Sequence, residues 1–204
     1  SSLYLVNIIN KIKFFFINLF IKKYILINEN LKKYISKNNK YIVHHGFFVF
    51  KKNINNNSKA SKINIIFSGY LDYYTGSDFY TKFLVELKKS NPLLFSNFNF
   101  YLTGDGPLKN FMENNLKNLA DNVYLRFNIS KSAYLNLLQK IDIGLNLRNN
   151  KYLIANETFP NKLIEFTNYN ILSISTKTAG VEKIFNINEI IYINELSSTY
   201  LEKI

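Results

Sequence analysis

From residue 63 onward the chain predicts an α/β fold built on a doubly wound parallel sheet, preceded by a short helical N-terminal remnant. Three observations carry this reading. Short β-branched or aromatic runs alternate with segments of helical period, a rhythm that builds parallel strands joined by crossover helices. The strand runs, such as INIIF and ILSI, are apolar on nearly every residue, as strands covered on both faces must be. Hydrophobic residues make up 47% of the 204, with only 3 prolines and 7 glycines, which is the composition of a folded chain with a substantial core.

Taken in order, residues 4 to 21 have helical period, KYILI reads as a short strand, NENLKKYIS as a helix, and YIVHHGFF as a strand running into a turn. Residues 51 to 62, KKNINNNSKASK, are almost wholly polar and read as a linker, so boundaries are expected at 1–50, 51–62 and 63–204. Strand INIIFSG then leads into helix GSDFYTKFLVELKKS, with Phe79, Phe83, Leu84 and Leu87 on one face. Strand FNFYLTG precedes helix PLKNFMENNLKNL, and strand NVYLRF precedes helix SKSAYLNLLQK. Strand IDIGLNL is followed by helix PNKLIEFTN, strand ILSIST by helix GVEKIF, and strand IIYIN by a last helical piece, SSTYLEKI. Six such βα units, with right-handed crossovers, put ligands beyond the carboxyl ends of the strands, where strand order reverses. The loops to watch are SGYLDYYTGS, TGDGPL, FNIS, NLRNNKYLIANETF and STKTAG.

Composition excludes several chemistries. Cysteine is absent, which removes disulfides, thiolate metal sites and cysteine nucleophiles and favours a reducing compartment. His44 and His45 are the two imidazoles, too few for a histidine-built metal site without distant carboxylates. A formal charge of +12 attracts anions, whether nucleic acid, an acidic membrane or a phosphorylated small molecule, or simply solvates the surface. The first 27 residues are apolar but interrupted by Asn7, Asn10, Lys11, Lys13, Asn18, Lys22 and Lys23, short of the ~20 apolar residues that span a bilayer. No small-residue cleavage site follows them. Two readings of that segment stay open, an interdomain helix and a basic amphipathic helix on an anionic membrane. The start at Ser-Ser suggests a fragment.

The stretch ETFPNKLIEF, residues 157 to 166, carries the sharpest local signal. Pro160 suits the first position of a helix, so the free amides of Asn161, Lys162 and Leu163 are expected to face the carboxyl edge of the sheet. Free amides, the helix dipole and the Lys162 charge together make an anion site. Glu165, four residues after Asn161, is placed to accept hydrogen bonds from a vicinal diol, and Glu157 is expected in the loop across the anion site. Each glutamate is equally readable as an acid favoured by a helix start.

ETFPNKLIEF resembles the Glu-x7-Glu motif of retaining, nucleotide-sugar-dependent glycosyltransferases of the GT-B fold, most of all the family 4 group. INIIFSGYLDYYTGSDF, FYLTGDGPLKNFM, DNVYLRFNISKSAYLNLLQKIDIGLNL and TKTAGVEKIF are similar to its other segments, in the same order, and ILINENLKKYISKNNKYIVHHGFF resembles the end of its N-terminal domain. The resemblance runs from about residue 23 to 194. It implies a Rossmann-like nucleotide-sugar-binding domain at 63–204 behind the end of an acceptor domain at 1–50. It gives Glu165 to the nucleotide ribose and Glu157 to the donor sugar as the catalytic pair. Gly69, Phe159, Pro160, Asn161, Lys162 and Arg148 would surround the diphosphate and sugar, and Phe127 and Asn128 would border the base.

The same resemblance implies no metal and no cofactor beside the donor, and a glycan or lipid-linked acceptor in surface polysaccharide synthesis. A cytoplasmic place is expected, contact with an anionic membrane stays one of the two readings of the first segment, and without a recognisable RNA or DNA motif no nucleic acid partner is expected. Asp72 and Asp105 read as turn residues, and His44 and His45 as structural or acceptor-side. The chain departs from the family where an arginine and a lysine usually neutralise the leaving diphosphate, with Tyr70 and Thr75 in their place. Lys162, Arg148 or Arg126 could substitute, a missing part of the chain could supply the charge, or the protein is a degenerate transferase serving as a partner subunit. The alternative from another class is a non-catalytic basic module binding nucleic acid.

Overall fold

A computed structural model describes residues 2–44, 61–178, 180–193 and 196. Residues 51–60 of the linker predicted at 51–62, His45, the end of the strand expected at 41–48, and the final piece 197–204 lie outside them. A long helix, α1 (Ser2–Phe20), is followed by two short parallel strands, β1 (Lys23–Leu26) and β2 (Lys40–Val43). Between these strands NENLKKYIS forms the helix expected, as a 3-10 helix over Glu29–Tyr34, with the Asn28 side chain capping it by accepting from the Asn30 amide.

Asn18 and Asn39 fasten this segment together. The Asn18 amide donates to Tyr34 O at 2.8 Å, while its oxygen accepts from the Tyr24 hydroxyl and the Ser36 amide, each at 3.0 Å. Asn39 donates to Ile21 O at 2.9 Å. The apolar side chains do not close over one another. Ile12, Phe15, Phe16, Leu19 and Phe20 on α1, with Ile25 and Ile42 on the strands, are all exposed, Phe20 by 78%. Among the described residues nothing covers this face, and no helix is long and apolar enough to cross a membrane.

The larger body is a six-stranded, all-parallel sheet of β3 (Ile63–Tyr70), β4 (Phe98–Asp105), β5 (Val123–Leu125), β6 (Ile143–Asn146), β7 (Leu172–Thr176) and β8 (Ile191–Ile193). Its order, β5-β4-β3-β6-β7-β8, runs outward in both directions from the middle, so the winding reverses between β3 and β6. The doubly wound sheet expected from the alternation is therefore present. Helices α2 (Ser77–Ser90), α3 (Pro92–Ser96) and α4 (Lys109–Leu116) pack on one face around Phe67, Tyr80, Leu84, Phe100 and Met112. Helices α5 (Lys131–Leu138) and α7 (Asn161–Asn168) pack on the other around Ile66, Leu138, Leu163 and Phe166. Ile66 and Phe67, neighbours on β3, enter opposite cores, which is the period of two that a strand imposes.

Local chemistry explains where the elements depart from expectation. Asn91 ends α2 and its side chain caps Leu94 N, so Pro92 opens a separate short helix. PLKNFMENNLKNL is helical only from Lys109 to Leu116. The loop NLRNNKYLIANETF contains a short helix, α6 (Leu153–Glu157). GVEKIF is not a helix but a run of turns, with Val181 N bonded to Thr178 O at 3.1 Å and Ile184 N to Val181 O at 3.0 Å. Its apolar residues Val181 and Phe185 plug the second core without needing a helical period.

Candidate active site

Three strand ends converge at the switch point. β3 ends in Ser68–Gly69–Tyr70 and β4 in Thr103–Gly104–Asp105, with Gly69 paired to Gly104 and both at φ +136°. A Cβ on Gly104 would fall 1.9 Å from Gly69 O, so the two backbones approach as only glycine permits, whereas a Cβ on Gly69 meets nothing within 4 Å. The open side of Gly69 faces a depression. β6 ends in Asn146 and leads through Leu147 to Arg148.

Two cavities adjoin there. One, of 480 Å³, includes Gly69, Asp105, Asn128, Tyr134, Lys162 and Glu165 in its wall. The other, of 220 Å³, includes Tyr70, Tyr74, Thr75, Arg148, Pro160 and Asn161. Gly69 and Lys162 belong to both, so they mark the passage between the two.

Helix α7 presents its polar face to this passage because its other face is held down. Leu163 and Phe166 are fully buried, and the Phe166 ring sits where Gly144 of β6 has no side chain: a Cβ there would lie 2.4 Å from the ring. Lys162 and Glu165 consequently point outward together. Lys162 Nζ donates to Glu165 Oε2 at 2.6 Å and to the Tyr134 hydroxyl at 3.0 Å. Tyr134, from α5, donates in turn to Glu165 Oε2 at 2.9 Å, and its ring lies 4.3 Å from Lys162 Nζ.

In the smaller cavity Arg148 donates through Nη1 to Thr158 O at 3.2 Å and also to Thr158 Oγ1. Burial pulls its pKa down, with the neighbouring Tyr74 acting the other way. A desolvated guanidinium and the Lys162 ammonium thus share one small space with the start of α7.

No family model and no curated protein matches this chain. Solved structures do. A glycosyltransferase from Rickettsia africae aligns with a TM-score of 0.65 at 17% identity, over 93% of this chain and 54% of its own. HepE from Anabaena, solved with UDP and glucose, aligns at 0.68 and 14% identity, over 95% of this chain and 55% of its own. The C-terminal domain of the group 1 glycosyl transferase LpcC from Francisella tularensis aligns at 0.53 and 17% identity, over 69% and 72%. The fold is that of the C-terminal half of a GT-B glycosyltransferase. This chain spans about half the length of the Rickettsia and Anabaena proteins, and at these identities the likeness is one of fold.

On this GT-B frame the structure gathers Gly69, Asn128, Arg148, Phe159, Pro160, Asn161, Lys162 and Glu165 around the two cavities. Tyr70 and Thr75 line the smaller one too, so the positions that lack the expected cations share a wall with Arg148 and Lys162; Arg126 is in neither lining. Asp72 is a turn residue as read, capping Tyr73–Thr75 in a reciprocal pair with the Thr75 hydroxyl. Asp105 ends β4 with an exposed side chain that borders the larger cavity.

Three expectations need correction. Pro160 is the N-cap of α7 and not its first residue, and its carbonyl takes the Leu163 amide at 3.0 Å, which leaves the amides of Asn161 and Lys162 at the tip. Phe127 does not reach the cavities; its ring packs against the first core under the Lys109 ammonium, 5.9 Å away. Glu157 is not in a loop but ends α6, and its carboxylate is turned to the N-terminal segment. There Tyr34 donates to it at 2.5 Å and Lys33 at 2.7 Å, and it lines neither cavity.

Asn28 and Asn30 reinforce that contact through Asn156 O at 3.3 and 3.1 Å, and Glu29 pairs with Lys183. Burial alone would raise the Glu157 pKa, but the bonds from Lys33 and Tyr34 prevail and hold it below the usual carboxylate range. Sequence reasoning missed Tyr134, which sits in an apolar run and reads as core. The signal was there: a tyrosine on the sheet-facing side of a helix needs a partner for its hydroxyl.

Proposed function

We propose that this chain is the donor-binding half of a retaining glycosyltransferase that moves a sugar from a nucleoside diphosphate onto a glycan or lipid-linked acceptor in surface polysaccharide synthesis. One observation carries the proposal. A larger cavity lined by the Glu165 and Asp105 carboxylates and a smaller one with two cations meet at Gly69 and Lys162, at the point of a doubly wound sheet where ligands bind.

The larger cavity suits a nucleoside, with Glu165 accepting from its ribose, and the smaller suits the diphosphate. When the bond between the anomeric carbon and the diphosphate breaks, negative charge grows on the phosphate oxygens. Lys162, Arg148 and the α7 amides would stabilise it, replacing the cations absent at Tyr70 and Thr75. HepE, with its UDP and glucose, supports the nature of the donor. The proposal includes no resident metal, and it places the protein in the cytoplasm, against the membrane.

A role for Glu157 on the donor sugar requires its carboxylate to leave Lys33 and Tyr34, so the proposal stands on Glu165. The exposed apolar face of α1, β1 and β2, with Lys11, Lys13, Lys22 and Lys23 near it, is compatible with an acceptor half or an anionic membrane beside it. The test is calorimetric titration with UDP, GDP and ADP, in the presence of EDTA and again with magnesium. Binding of at least one of them at millimolar concentration or below, unaffected by EDTA, is expected; no heat and no thermal shift with any of the three removes the assignment.

A further inference from the structure

Tyr134 holds the two functional side chains of the larger cavity in place at once. A phenol has one proton to give and two lone pairs to receive. Here the proton goes to Glu165 Oε2 at 2.9 Å, one lone pair takes the Lys162 ammonium at 3.0 Å, and Ser68 Oγ at 3.1 Å is then the donor to the other. The hydroxyl is saturated, and its orientation is fixed by partners on two strand or helix ends. Glu165 borders the cavity, and its Oε1 has no hydrogen-bond partner among the described residues.

Lys162 is a long, flexible tether that lines both cavities. A diphosphate in the smaller cavity would draw the ammonium toward itself. Tyr134 would then be the donor that remains on Glu165.

We propose that Tyr134 is a positioning and specificity residue of the donor site: its hydroxyl orients Glu165 toward a ribose diol, and its ring seats Lys162 for the diphosphate. This rests on the nucleotide-sugar reading above. Burial pushes the phenol's pKa up, with the Glu165 charge adding to it, so the hydroxyl stays protonated and keeps donating. Phenylalanine at this position would keep the ring beneath Lys162 and delete the hydroxyl's bonds to Glu165, Lys162 and Ser68; the bond to Lys162 is the one a diphosphate would already have drawn away. That separates the two roles.

The experiment titrates the chain with the tightest-binding of UDP, GDP and ADP, with its 2′-deoxy counterpart, and with inorganic pyrophosphate. The wild type is expected to favour the ribonucleotide by about tenfold, the scale of a hydrogen bond to a charged group. In Tyr134→Phe that preference falls to within about twofold while pyrophosphate affinity holds; in Tyr134→Leu pyrophosphate affinity falls too.

A Tyr134→Phe protein that keeps the full preference, or loses nucleotide and pyrophosphate affinity in equal measure, overturns the proposal. Thermal unfolding establishes that each variant folds. Where Tyr134→Phe does not, Ser68→Ala frees the phenol to rotate and should reduce the preference by about threefold; no change there overturns the proposal equally. A wild type that binds pyrophosphate but no nucleotide more tightly also overturns it, and one that binds neither removes the donor-site reading beneath it.

Discussion

Lys162 Nζ lies 2.6 Å from Glu165 Oε2, three residues away on the same helix, and only the lysine of the pair reaches both cavities. The two side chains are about one third exposed, so the pair contributes roughly 0–1 kcal/mol to stability. Its value lies in charge placement. Replacing Lys162 with methionine should leave the melting temperature within about 4 °C, since a surface-type ion pair is worth so little. The same change should weaken pyrophosphate by about tenfold, because the lost partner is a full charge. Calorimetry on the two proteins decides it: equal pyrophosphate affinity would show that Lys162 serves Glu165 alone.

Arg148 carries a second prediction. Its guanidinium is desolvated and bound to both oxygens of Thr158 through the single nitrogen Nη1, so the planar group keeps its other N–H donors for a forked contact with an anion in the smaller cavity. Arg148→Lys keeps the charge but not the fork, and should still lose about tenfold in pyrophosphate affinity. Full retention in the lysine variant would mean that charge alone is required.

The sheet was legible because parallel strands buried on both faces leave short apolar runs that alternate with segments of helical period. The placing of the α7 start beside the cavities was legible through ETFPNKLIEF, where proline and the spacing of Lys162 and Glu165 are local facts. What was not legible depends on contacts between distant segments. Tyr134 joins Glu165 across two helices and 31 residues, and Glu157 is claimed by Tyr34 from 123 residues upstream. No period or motif announces such pairs. Likewise GVEKIF has helix-forming residues, but the turns that bury Val181 and Phe185 follow from the core they close, not from propensity.

The paired glycines give a third test. Gly104→Ala would press a methyl against Gly69 O from 1.9 Å, and backbone cannot yield as a side chain can. Added to the strain of positive φ, about 1–2 kcal/mol, this should lower the melting temperature by several degrees. Gly69→Ala carries the conformational strain but no collision, and its methyl would enter the passage between the cavities. Differential scanning calorimetry should therefore rank Gly104→Ala as the less stable, while titration ranks Gly69→Ala as the weaker binder relative to its stability. The reverse order of melting temperatures would show that the β3–β4 approach is not as close as described.

Acid should loosen the joint between the N-terminal segment and α6. Glu157 is held below its ordinary pKa of 4.5 by Lys33 and Tyr34, against the effect of burial. A carboxylate with a depressed folded pKa contributes stability that is complete above its unfolded value and is lost as pH falls through the folded one. Lys33, raised above 10.5 by its bond to Glu157, gives the other limit: its contribution is complete below 10.5 and fades as pH climbs past the folded value. The joint is therefore expected to be constant from about pH 5 to 10 and to weaken only outside that window. Glu157→Gln removes the ion pair, so the acid limb of its stability profile should flatten relative to the wild type between about pH 4.5 and 3. Thermal unfolding across that range measures it. Parallel profiles for the two proteins would mean that Glu157 does not hold the segment in solution, and would return its carboxylate to the donor site.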